Sequence, residues 1–174
     1  MDKNPLQINS NSQFSFGKAQ ESDFLTLPKW FKTPALLREW GGPKLNYPLN
    51  AEQFFKDNEQ ATHYQSYALK SQEHLVAFGQ VNIVKQRAHL ARLCVNPSMR
   101  GQGHSKTLIH SLVRQATSQG SINLISLFVY ESNHLAIRCY QKLGFIQLPA
   151  PRNINIPEGC IYMLLHRADA PTKQ

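Results

Sequence analysis

Two stretches of the 174-residue chain hold residue types in spacings that can do chemistry. The first runs Val95-Asn-Pro-Ser-Met-Arg100-Gly101-Gln102-Gly103-His104-Ser105 and continues into Lys106. An apolar, strand-like run enters a glycine-containing turn, and the turn opens a long amphipathic helix. In such a turn successive amide N–H groups face one point, and the helix dipole adds partial positive charge. The product is an anion site suited to a pyrophosphate. Gly101 and Gly103 let the backbone approach a ligand with no Cβ between them, while Arg100 and Lys106 add cations. The same glycines would also serve a plain strand-to-helix turn, and this stretch alone leaves that alternative open. Rival glycine motifs fail on spacing. A P-loop needs G-x-x-x-x-G-K-[ST] and a dinucleotide fingerprint needs G-x-G-x-x-G, whereas Lys106 holds the place of that last glycine.

The second stretch is Tyr130-Glu-Ser-Asn133-His-Leu-Ala136-Ile-Arg-Cys-Tyr140-Gln-Lys-Leu143-Gly144-Phe145, after a run that is apolar on both faces. Pro97-x-x-Arg100-Gly-x-Gly103 followed by Asn133-x-x-Ala136-x-x-x-Tyr140-x-x-x-Gly144-Phe145 resembles the GNAT superfamily of acetyl-CoA-dependent N-acetyltransferases. The likeness covers about Ala68 to Leu165, and Ala19 to Pro48 is similar in a looser way to the family's first strand and helices. Two motifs in the family's order point to the superfamily and to no particular acceptor.

The resemblance implies acetyl-CoA as acyl-donor cosubstrate and an amine as acceptor. Backbone groups of Leu93, Cys94 and Val95 would pair with the pantetheine arm as an added strand does. The amides of Gly101, Gln102, Gly103, His104, Ser105 and Lys106 would hold the pyrophosphate beside Arg100. The family usually has Gly or Ala where this chain has Ser105, whose hydroxyl is expected to donate to a phosphate oxygen. Asn133 would offer its side-chain amide to the cofactor arm, and it is also a good helix N-cap. Tyr140 matches the general acid that protonates the departing CoA thiolate. Its alternative is a core tyrosine on the stripe of Ala136 and Leu143. The family's base positions fall on Ala91 and, in members acetylating ribosomal-protein N-termini, on Phe128; neither accepts a proton. His89, on the same strand face as Ala91, is the remaining candidate base, acting through ordered water, with Glu131 as its rival. A solvated histidine and a capping carboxylate are the plainer readings of the two.

These residues need elements to position them. Phe14-Ser-Phe16 alternates as a first strand, Phe24 to Phe31 is helix-like but interrupted by Pro28, and Thr33-Pro34 starts a helix that Gly41-Gly42-Pro43 stops. Asn50 caps another, from Ala51 to about Asn58. Strands follow at Tyr64–Lys70, His74–Val84 and His89–Val95. Arg100 to Gln119 carries the stripe Leu108, Ile109, Leu112, Val113 and Ala116, and Gly120 ends it. A central strand at Ile122–Tyr130, a helix at Asn133–Leu143 and strands at Phe145–Leu148 and Cys160–His166 complete the order. The expectation is one α/β domain over 14–167, with flexible segments at 1–13 and 168–174. The resemblance sharpens it to a mixed, mostly antiparallel sheet, splayed at the cofactor cleft, with helices on both faces. Trp30, Phe31, Trp40 and Tyr47 would either line an acceptor wall or seal the helices onto the sheet.

Composition sets the outer bounds. Lys plus Arg number 19 against 11 Asp plus Glu, a net charge of +8 that favours anionic partners, a phosphate-bearing cofactor among them. The cations are scattered without runs or interleaved aromatics, which argues against nucleic acid as partner. No apolar run reaches membrane-span length and the N-terminus lacks a signal-peptide core, so the expected location is cytoplasmic. Three cysteines and seven histidines show no metal-ligand spacing, so no metal is expected. The leading function is acetyl transfer to a small primary amine by direct attack in a ternary complex. Acetylation of a protein N-terminus is the alternative among enzymes, and a non-catalytic basic binding module is the alternative outside them. A homodimer is compatible with all three.

Overall fold

A computed structural model describes residues 14–118 and 122–167. The expected flexible segments at 1–13 and 168–174, and the helix stop at Gly120, lie outside the described residues. Seven strands form one sheet in the order β1-β2-β3-β4-β5-β7-β6. They are β1 (Ser15–Lys18), β2 (Tyr64–Ser71), β3 (His74–Val84), β4 (Arg87–Val95), β5 (Leu124–Tyr130), β6 (Ile146–Gln147) and β7 (Cys160–His166). All neighbours are antiparallel except β4 and β5, which run parallel. The mixed, mostly antiparallel sheet that the resemblance implies is the sheet observed. Among the described residues no helix is long and apolar enough to cross a membrane.

Helices cover both faces. Helices α1 (Glu21–Thr26), α2 (Pro34–Gly41) and α3 (Ala51–Gln60) lie on one face, and α4 (His104–Thr117) and α5 (His134–Lys142) on the other. Pro28 acts as expected: α1 stops at Thr26 and a 3-10 turn, Leu27–Trp30, takes over. Thr33 and Asn50 cap α2 and α3 by accepting from the amides of Leu36 and Gln53. Under α4 the core holds Leu90, Leu108, Ile109, Leu112, Ile125 and Leu127; under α1–α3 it is aromatic, with Phe24, Trp30, Phe31, Phe54 and Phe78. The alternation on β4 sends Ala88 and Leu90 to the α4 core and leaves His89 on the α1–α3 face, against Phe128.

Helix α4 begins at His104, four residues later than the sequence pattern places it. The cause is backbone geometry: Pro97–Met99 form a 3-10 turn, and Gly101 and Gly103 take φ of +78° and +83°, which no helix tolerates.

A β-bulge disturbs β4. Phe78 pairs with Cys94 and Gln80 with Ala91, so Gly79 alone stands opposite both Arg92 and Leu93. Arg92 absorbs the extra residue with φ +49°. Gly79 has no room for a side chain, since a Cβ there would meet Leu93 Cδ2 at 2.8 Å and Leu112 Cδ1 at 2.9 Å.

Candidate active site

The bulge has a consequence one strand away. β4 pairs with β5 only from Arg87↔Leu124 to Leu90↔Leu127, although β4 runs on to Val95 and β5 to Tyr130. Past Leu90 the strands part, so β4 presents an edge of unpaired backbone groups inside the molecule rather than at its rim. A cleft of about 1490 Å³ opens there. It is large enough for two ligands end to end, since single small-molecule sites run to about 1,000 Å³.

At one end lies the turn into α4. The amides of Gly103, His104 and Ser105 have no backbone acceptor among the described residues, and a Cβ at Gly101 or Gly103 would meet nothing within 4 Å. Free N–H groups, a helix N-terminus and open space together fit a pyrophosphate. Leu93, Cys94, Val95, Arg100, Gly101, Gly103, His104, Ser105, Asn133, Tyr140 and His89 all line the cleft.

Two expected cofactor residues do not. Gln102 and Lys106 are absent from the lining, and the Lys106 amide donates to the Gly103 carbonyl at 3.1 Å, consumed by the first helical turn. The Ser105 hydroxyl, expected to donate to a phosphate oxygen, has a partner within the protein. It sits 3.5 Å from Cys139 Sγ on α5, bridging the two helices that carry the motifs. The His104 ring also turns inward, edge-on to Phe14, with Nε2 buried and unpartnered, so only its backbone serves the cleft. Asn133 is an N-cap, its Oδ1 accepting from the Ala136 amide at 3.1 Å, and its Nδ2 makes no protein hydrogen bond among the described residues.

The chemistry gathers where the strands part. Tyr140 is half-buried on α5, its ring 6.0 Å from Phe145, and its hydroxyl has no protein partner among the described residues. Burial pushes that phenol well above its ordinary range, so it holds its proton throughout the working pH range. Burial likewise pushes the Cys94 thiol up and suppresses its thiolate. His89 Nδ1 lies 3.0 Å from Ser126 Oγ, which in turn donates to the Ala88 carbonyl at 3.4 Å. When the hydroxyl proton is used in this way, Nδ1–H donates and Nε2 carries the lone pair; the other tautomer reverses both roles. Burial pulls His89 down to about 4, so the imidazole is neutral at pH 7 but a weaker base than an ordinary histidine. Glu131, its rival, is exposed and off the cleft.

The profile of the acetyltransferase (GNAT) family matches residues 28–145. The chain belongs to the GNAT family. It is an acyltransferase, and the alternative of a non-catalytic basic module falls away. Its GNAT relatives include ribosomal protein bS18-alanine N-acetyltransferase of Haemophilus ducreyi, 30% identical over 103 residues, which cover 59% of this chain and 70% of the relative. The spermidine N-acetyltransferase of Vibrio cholerae, solved with CoA and spermine, shares the GNAT fold at a TM-score of 0.71 and 16% identity, over 90% of this chain and 96% of that one. The ribosomal-protein-S18-alanine N-acetyltransferase of Escherichia coli does so at 0.65 and 20% identity, over 92% and 98%.

The sequence places Trp40 among the acceptor-wall aromatics but not its partners, and it leaves Arg92, Tyr64 and Ser126 unread. Trp40 on α2 donates from Nε1 to the Arg92 carbonyl at 2.8 Å and stacks on Phe31 at 4.5 Å, so it both seals the helix and clamps the bulge. Arg92 extends from the bulge under α3, Tyr64 reaches the cleft from β2, and Ser126 orients His89 from β5. Their partners lie far off in sequence, and no local spacing signals them. Tyr47, grouped with the acceptor aromatics by proximity to Trp40, does not line the cleft; its hydroxyl donates to the Lys32 carbonyl.

Proposed function

We propose that this GNAT enzyme transfers the acetyl group of acetyl-CoA to a small primary amine, by direct attack within a ternary complex. The observation that carries the reading is the parting of β4 and β5. One cleft thereby joins an anion-binding turn, a free strand edge and a protonated tyrosine. The free edge of β4 and the amides of Gly103, His104 and Ser105 would bind the donor, with Arg100 beside them. The amine enters from the Trp40 and His89 side and its nitrogen forms a bond to the thioester carbonyl carbon. As the carbon–sulfur bond breaks, Tyr140 gives its phenolic proton to the leaving sulfur. The proton lost by nitrogen passes to water, and the phenol is restored from solvent. The suppressed thiolate of Cys94 disfavours an acyl-enzyme and supports direct attack.

A group titrating near 4 is a poor base for a strongly basic amine. His89 is better suited to accept a hydrogen bond at Nε2 and so orient the acceptor nitrogen. The acceptor then arrives neutral, which favours weakly basic amines: near pH 7.4 a lysine-type amine of pKa ~10.4 is about one part in a thousand neutral, an α-amine near 7.7–8.0 far more. A second reading, acetylation of a protein N-terminus, is favoured by the relatives named for ribosomal protein bS18. Against it, Phe128 stands where the resemblance places the glutamate of such enzymes. A cytoplasmic location accords with either.

A thermal melt tests the donor. Acetyl-CoA at 100 times its dissociation constant should stabilise the protein by about 2.7 kcal/mol. Gly103→Glu, which sets an anion where the phosphates belong, should abolish the shift. A melt unmoved by millimolar acetyl-CoA would overturn the reading. Thiol release with a panel of small amines and N-terminal peptides then separates the two acceptors.

A further inference from the structure

We propose that the acceptor carries a carboxylate as well as its amine, and that the Arg92 guanidinium binds it. This rests on the acetyltransferase reading above and adds the acceptor's charge. Arg92 sits at the bulge, on the sheet face that also carries His89, and it lines the cleft. Its Cζ lies 5.4 Å from the Phe54 ring centroid and its Nη1 donates to Gln80 Oε1 at 2.7 Å. Gln80 in turn donates to Asn58 Oδ1 and Ser66 Oγ, so every protein group joined to the guanidinium by this network is neutral. Nε is buried and has no hydrogen-bond partner among the described residues. Among the described residues the ion pair is Lys70 with Asp23, elsewhere on β2 and α1, and no carboxylate meets Arg92.

A cation taken from water without an anion is costly, and burial weakens its hold on the proton. A guanidinium nonetheless stays charged at every working pH. Held in a cleft by neutral hydrogen bonds, it keeps its full charge for an anion. The planar fork suits a carboxylate better than any neutral group does. The cleft lining as a whole has the same sign: Lys29, Lys32, Lys44 and Arg100 line it with Arg92 against one acid, Glu39. That field draws in an amine bearing an anion and repels a polycation. The aromatic wall of Phe31 and Trp40 leaves room for an apolar body between the two charges.

The experiment compares matched amines. The 3- and 4-isomers of aminomethylbenzoate are each set against their carboxamides, with thiol release measured in the presence of acetyl-CoA. The wild type should prefer at least one carboxylate over its carboxamide by about tenfold or more in kcat/KM, carried by KM. Raising salt from about 50 to 500 mM should raise KM for that carboxylate and leave its carboxamide's alone. In Arg92→Gln the ratio should fall to about one, while Arg92→Lys, which keeps the charge, should hold it well above one. Preference for the carboxamides, turnover of spermidine in place of both, no turnover of either member of any pair, or an Arg92→Gln ratio equal to that of the wild type overturns the proposal. The acetyl-CoA melt shift on the same samples tells the two failures apart. If the shift is present, the acceptor assignment alone is wrong; if it is absent, the acetyltransferase reading falls and this one with it.

Discussion

The two halves of the cleft are built from different materials. The half we propose for the donor is backbone: an unpaired strand edge, free amides at a helix start, and two glycines held at φ of +78° and +83°. The acceptor half is side chain, with Phe31 and Trp40 from α2 and its approach, Arg92 and His89 from β4, and Phe128 from β5. A backbone site demands a local conformation, and a local conformation demands particular residues a few places apart. A side-chain site demands only that distant positions meet. Trp40 and the Arg92 carbonyl are 52 residues apart in the chain, and His89 and Ser126 are 37 apart. The donor half is therefore fixed in kind, while the acceptor half can be rebuilt one side chain at a time on the same fold.

Tyr140 stands where the two halves meet, and removing its hydroxyl should have the largest effect. Tyr140→Phe keeps the ring against Phe145 and costs little stability. We expect kcat to fall by roughly 10²- to 10⁴-fold with acetyl-CoA affinity nearly unchanged. A Phe variant with full activity would return Tyr140 to the helix stripe with Ala136 and Leu143, and would move the proton donor out of both halves.

The same contrast explains what was legible in the sequence. Element order, the fold class and the glycine turn before α4 were readable because hydrophobic period and glycine position are local signals. The start of α4 was misplaced because no apolar residue between Arg100 and Thr107 marks where the helix begins, while positive φ at Gly101 and Gly103 forbids helix there. Lys106 looks like a phosphate ligand on spacing alone, yet its amide is spent on the Gly103 carbonyl. The direction of the Ser105 hydroxyl could not be read at all, since its partner, Cys139, lies on another helix. Arg92 was invisible as a site residue. Its place depends on a bulge, and the glycine that permits the bulge, Gly79, lies on the neighbouring strand.

A smaller effect should follow from Trp40→Phe. The ring that packs on Phe31, Phe54 and Phe78 is largely kept, but the N–H that holds the Arg92 carbonyl is lost. Leaving that carbonyl unpaired costs about 1–2 kcal/mol, which denaturant melts can resolve. Because the clamp steadies the acceptor half, KM for the amine should rise severalfold, while the dissociation constant of acetyl-CoA stays put. Equal losses in both would mean that the bulge couples the halves and that the division drawn between them is too sharp.

The smallest effect concerns protonation of His89. Its folded-state value, about 4, lies below the ~6.5 of an unfolded histidine, so on acidification the unfolded chain takes up the proton first. The stability this histidine contributes is complete above pH ~6.5 and is lost as pH falls through the window toward 4. At pH 5 the loss amounts to about 1–2 kcal/mol. His89→Gln has no proton to gain, so its stability should fall less between pH 7 and 5 than that of the wild type, by that margin. Activity should behave differently. The ascending limb of kcat/KM that an unperturbed histidine base would set near 6.5 should not be seen. The limb should instead follow the amine's own pKa across a series of acceptors, and should keep its position in His89→Gln even as the rate drops. Were a limb near 6.5 found, and abolished by that substitution, His89 would be a working base. The acceptor half would then supply proton transfer as well as shape and charge.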